Sequence, residues 1–192
     1  MNASQLFAHP GWVNLLVLVP LVSFAAWRRT GLDIAARVLI AAGLFGIAFG
    51  FVEATVVVYL RAALGLIGPV GGPVINPPPL ASIPGYLLAA ERMRESATIV
   101  MLVAVAMLGA RRARERWALF LFVFAWWDIY YYLGLRLLTG WPPSPMSTDI
   151  LFLIPVPWVA EVWYPLLVSG LSVAAVLYVS VMPRHVIESD SR

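Results

Sequence analysis

Cysteine is absent from this chain of 192 residues. Lysine is absent too, and all thirteen basic residues are arginine. The first absence excludes disulfides, thiolate metal sites and cysteine nucleophiles, and leaves the redox compartment undecided. The second excludes lysine Schiff-base cofactors. The two histidines, His9 and His185, stand at opposite ends of the chain, and no haem is expected. Any metal would take oxygen ligands and be of Mg, Mn or Ca type. Charge is scarce as well: only 12% of residues are charged, against about 25% in soluble domains. The net charge of +3 comes mainly from loop arginines, which gives no reason to expect nucleic acid.

What is present is apolar length. The chain is 61% hydrophobic, with a mean hydropathy of +0.87. A helix crosses the hydrocarbon layer with about 20 mainly apolar residues. Five segments qualify, roughly 12–27, 36–60, 95–110, 117–138 and 158–182. They predict an all-α polytopic membrane protein with no separate soluble domain, its surroundings the lipid bilayer. Arg28, Arg29, Arg37, Arg111, Arg112, Arg114, Arg116, Arg184 and Arg192 flank one set of loops and ends. Arg61, Arg92, Arg94 and Arg136 fall on the other side. The positive-inside rule then puts the N-terminus outside and the C-terminus in the cytoplasm. Arginines follow the first apolar run, which reads as a retained anchor.

Within this apolar background the acids stand out, since a carboxylate in hydrocarbon must be paired, hydrated or protonated. The stretch WWDIYYYLGLRLLTGWP holds Asp128, Tyr131, Tyr132 and Arg136; FVEATVVVYLRAALG holds Glu53 and Arg61. Ala42, Gly46, Gly50 and Ala54 recur every four residues, a spacing that lets another backbone approach closely. Glu53 lies near that face and is expected to point into the bundle. Glu91, Glu95 and Thr98 share one face of a helix beginning near residue 91, with Arg94 beside Glu91 at i+3. Pro20 predicts a kink in the first helix. The apolar, proline-rich loops 62–90 and 140–157 are expected on the membrane surface, over the bundle mouth, or as a re-entrant segment around 150–154. Helix five is expected from Trp158, with Glu161, Pro165 and Ser169 at four-residue steps.

The pattern repeats. Glu53 matches Asp128, Arg61 matches Arg136 and Gly65 matches Gly140, at an offset of 75. Ile83-Pro84 matches Ile154-Pro155 and Ala90-Glu91 matches Ala160-Glu161, at 70–71. Residues 35–110 and 111–182 read as parallel tandem units, 1–34 as an extra helix and 183–192 as a polar tail. The expectation is one membrane domain with an outward-facing site on a pseudo-two-fold axis. Glu53, Asp128, Glu91, Glu95, Glu161, Tyr131 and Tyr132 would line it, with Arg61 and Arg136 at its rim. A metal, if one binds, would fall to Glu53, Asp128 and Glu95.

FGFVEATVVVYLR, WDIYYY, GWPPS and DILFLIPVPW resemble a widespread, uncharacterised family of small bacterial multi-pass membrane proteins, over most of residues 43–165. The resemblance implies a bacterial inner membrane and brings no activity with it. Three functions fit the residues. The first is binding or transport of a cation, proton or small ligand. The second is a non-catalytic partner or assembly subunit, through a membrane-protein partner or a homodimer. The third is an enzyme acting on a lipid-linked substrate, with Glu53, Asp128 or a tyrosine as acid–base group.

Overall fold

The computed structural model describes residues 8–66 and 83–181. The chain runs through a 3-10 helix (Gly11–Val17), α1 (Leu18–Thr30), α2 (Ala36–Ala63), α3 (Gly85–Gly109) and α4 (Ala113–Thr139). Two short strands follow, β1 (Thr148–Phe152) and β2 (Trp158–Glu161), and then α5 (Trp163–Val181). Among the described residues, four helical stretches are long and apolar enough to cross a membrane: Gly11–Thr30, Ala36–Ala63, Ala113–Thr139 and Trp163–Val181. The protein is thus a mainly helical membrane protein.

α4 is the centre of the bundle and packs against α2, α3 and α5, while α1 lies against α5. Its closest neighbour is α2, and glycine is the reason. A Cβ on Gly46 would lie 2.8 Å from the Val123 carbonyl oxygen, and one on Gly50 2.5 Å from that of Trp127. From the other side, a Cβ on Gly134 would meet the Ala54 methyl at 2.7 Å. Without side chains at these points the two backbones touch, and dispersion contacts replace lipid along the seam. α2 and α4 also end alike. Gly65 and Gly140 take positive φ, at 69° and 73°. The Gly140 N–H donates to the Arg136 carbonyl at 2.9 Å, and the Leu66 N–H to the Arg61 carbonyl at 2.8 Å. The shared Arg-x3-Gly is a helix stop.

Several expectations require correction. The mainly helical architecture agrees with the all-α reading; in the loop expected before helix five there is in addition an antiparallel hairpin, in which Thr148 pairs with Glu161, Asp149 with Ala160 and Ile150 with Val159. His9 extends it, exchanging backbone hydrogen bonds of 2.7 Å with Val159 in both directions. Residues 148–152 are therefore strand, and α5 starts at Trp163 rather than Trp158 because 158–161 is paired as a strand. α3 starts at Gly85, earlier than expected, because nothing from Gly85 onward breaks a helix once Pro84 is passed. It falls outside the four apolar spans because Glu91, Arg92, Arg94 and Glu95 crowd its first turns. Pro20 lies inside the continuous helical stretch Gly11–Thr30, two residues after it changes from 3-10 to α geometry. The readings of the loop at 67–82, of the outer tail at 1–7 and of the polar tail with His185 lie outside the described residues.

Candidate functional site

At the end of the bundle away from Arg111–Arg116, the helices and the hairpin border a partly open cavity of about 170 Å³. The C-terminal turns of α2, the N-terminal turns of α3 and α5, the middle of α4 and the hairpin all contribute to it. Its walls are mostly apolar and aromatic, including Phe124, Trp127 and Trp158. Set into them are Arg61, Glu91, Arg94, Glu95, Thr98, Asp128, Tyr131, Tyr132, Asp149 and Ser169.

On the α2–α3 side the acids are each held by a cation or a backbone N–H. Thr98 Oγ1 donates to Glu53 Oε1 at 2.9 Å, and the Arg94 guanidinium pairs with Glu53 Oε2. The same guanidinium reaches Glu91 Oε2 through Nε at 3.0 Å and Nη2 at 2.7 Å. One arginine therefore bridges two acids, one on its own helix and one buried on α2. Glu95, one residue on, accepts the Leu153 N–H at 2.9 Å and ties α3 to the end of β1.

On the α4–α5 side they are not. Ser169 Oγ donates to Asp128 Oδ2 at 2.8 Å, just as Thr98 serves Glu53. Yet among the described residues no cation stands within salt-bridge distance of Asp128, which is only 7% exposed. The step of 70 that carries Glu91 to Glu161 carries Arg94 to Tyr164, whose hydroxyl donates to the Val13 carbonyl at 2.6 Å, and the step of 71 that carries Thr98 to Ser169 carries Arg94 to Pro165; neither is a cation. Tyr132 OH donates to Asp149 Oδ2 at 3.0 Å. Burial pushes the Asp149 carboxyl up to about 6, while Arg61, the Tyr132 hydroxyl and the Ile150 N–H pull the other way. Arg61 is itself 8% exposed. Its guanidinium lies 4.4 Å from the centre of the Trp141 ring, in cation–π contact.

Of the nine expected site residues, Arg61, Glu91, Glu95, Asp128, Tyr131 and Tyr132 line the cavity. Glu53 stands behind it and is engaged through Thr98 and Arg94. Glu53 and Asp128 do not face each other: each turns to the helix that follows its own. Glu161 lies in β2 and accepts the Trp163 Nε1–H at 2.7 Å. Arg136 donates to the Pro142 carbonyl. Neither lines the cavity, because the hairpin turns the first aside and a loop carbonyl holds the second. The conditional metal set does not assemble either. Among the described residues no group of three acids or histidines converges, and Glu53, Glu95 and Asp128 each bind a different partner. Arg94, Thr98, Asp149 and Ser169 line the cavity without having been expected there. Three-residue spacing to Glu91 marks Arg94, and Thr98 shares the Glu91–Glu95 face. Asp149 arrives by hairpin pairing, which leaves no local signal.

Comparison with protein-family models, curated proteins and solved structures finds no match.

Proposed function

We propose that this chain binds a small organic cation, a protonated amine with a short apolar body, in the cavity at the outer end of the bundle, and serves its passage across the membrane. The observation that carries the reading is the inequality between the two buried acids. Glu53 has Arg94; Asp128 has a hydroxyl alone. A carboxylate in that position is stabilised when a cation arrives. Four acids line the cavity with two arginines, and Arg94 is already engaged by Glu53 and Glu91. The balance favours a positive ligand, and aromatic faces beside it add cation–π attraction.

In this reading the chain spans the membrane five times, N-terminus outside, in a bacterial inner membrane. α3 is the fifth span. Glu95 is buried, Glu91 and Arg94 are half-buried and paired with each other, and Arg92 is exposed; residues 96–109 beyond them cover about 21 Å of hydrocarbon at 1.5 Å each. The two units are a duplication, in which Glu53–Thr98 and Asp128–Ser169 are equivalent contacts that kept their hydrogen bond while only the first kept an arginine. The family resemblance of the sequence strings is consistent with this and adds no activity.

The test is binding of n-butylamine to the purified full chain in detergent, read by calorimetry and by the fluorescence of Trp127 and Trp158. Saturable binding is expected. It should strengthen from pH 5 to pH 7, because Asp149 loses its proton near pH 6 while the amine stays charged. Asp128→Asn should weaken it about tenfold or more, the loss of one charge-assisted contact. Glu161→Gln, outside the cavity, should leave it unchanged. No saturable binding at either pH would sink the proposal, and uptake into proteoliposomes separates transport from binding.

A further inference from the structure

Arg61 is the one cavity group that a purely cationic ligand does not explain. It is 92% withdrawn from the surface, being 8% exposed, and it lines the cavity. Among the described residues no carboxylate lies within salt-bridge distance of it. The Trp141 ring beneath it satisfies one face of the guanidinium, but a ring face accepts none of the five N–H bonds that this group can donate. Asp149 is close enough for the two charges to influence each other, yet its Oδ2 is taken by the Tyr132 hydroxyl. A buried guanidinium and two buried aspartates thus border one space without closing on each other. Arginine suits a flat anion, which it grips with two parallel hydrogen bonds.

We infer that the cavity takes a zwitterion, with the anionic group of the ligand held by Arg61 and its ammonium held by Asp149 and Asp128. This rests on the cation-binding reading above and adds to it the second pole. Both ends of such a ligand would meet opposite charge, and its apolar part would lie along Phe124, Trp127 and Trp158. Arg94, already bridging Glu53 and Glu91, stays structural. The same chemistry is offered by a free amino acid and by the headgroup of an aminophospholipid whose acyl chains remain in the bilayer.

Four probes separate the alternatives on the full chain in detergent: n-butylamine, butyrate, leucine and dihexanoylphosphatidylethanolamine. At least one zwitterion should bind about tenfold more tightly than butylamine, the worth of one added charge-assisted contact. Leucine alone would identify a soluble ligand and the phospholipid alone a headgroup; either supports the inference. Arg61→Gln should remove the advantage of the zwitterion, bringing its affinity to that of butylamine measured on the same variant, within about twofold. Arg61→Lys, which keeps the charge but not the fork, should fall between the two. The wild-type comparison stands even if the Arg61→Gln chain does not fold. Butylamine binding as tightly as both zwitterions would overturn this inference and leave the cation reading intact. Silence from all four probes would remove both.

Discussion

Arg94 shows how much one side chain decides here. Its guanidinium satisfies Glu53 across the α2–α3 contact and Glu91 within α3. Glu53 is buried, so removing its cation leaves an uncompensated charge. Arg94→Gln is expected to destabilise the fold by about 3–5 kcal/mol. The double change Glu53→Gln, Arg94→Gln should recover most of that, since an amide pair needs no counter-charge. Melting in detergent, compared across the two single variants and the double, checks it; additive losses would refute the coupling. Glu53 and Arg94 are 41 positions apart in the sequence. That Glu53 would be costly in lipid was legible from its setting, but not that Arg94 is the cation that pairs with it. Asp128 was legible as the odd acid in an apolar run, and its lack of a cation was not.

Among the elements, the α2–α4 seam is the most exacting. The four-residue spacing of Ala42, Gly46, Gly50 and Ala54 announced a close approach, because small residues at that period line one helical face. It did not say which helix would come close. Gly50→Val should force the backbones apart and cost about 1–3 kcal/mol as overpacking. Gly170→Ala, on α5 with nothing within 4 Å of the added carbon, should melt at or slightly above the wild-type temperature. Equal behaviour of the two variants would mean that the seam is not tight. The hairpin was the least legible element. TDILF and WVAE are too short to announce themselves, and prolines on both sides suggested irregular chain. Pairing of the strands with each other and with His9 supplied the missing hydrogen bonds, which local propensity cannot foresee.

At the scale of the whole molecule, the arginine distribution predicts a direction of insertion that the absence of cysteine makes simple to test. Met146, exposed beside the hairpin, and Arg111, exposed in the loop before α4, lie at opposite ends of the bundle. With no native thiol to interfere, Met146→Cys should react with a membrane-impermeant maleimide on intact cells. Arg111→Cys should react only after the membrane is opened. The reverse pattern would invert the topology and turn the cavity to the cytoplasm.

The sequence by itself determined the solvent. Long apolar stretches and scarce charge leave the bilayer as the only surroundings in which most of this surface is stable, and Glu53 and Asp128 stood out in one dimension as acids that need a partner. Only the tertiary structure decided how those acids are satisfied. A partner for a buried charge is chosen by proximity between helices and across the hairpin, and such contacts, dozens of residues apart, have no periodicity to read.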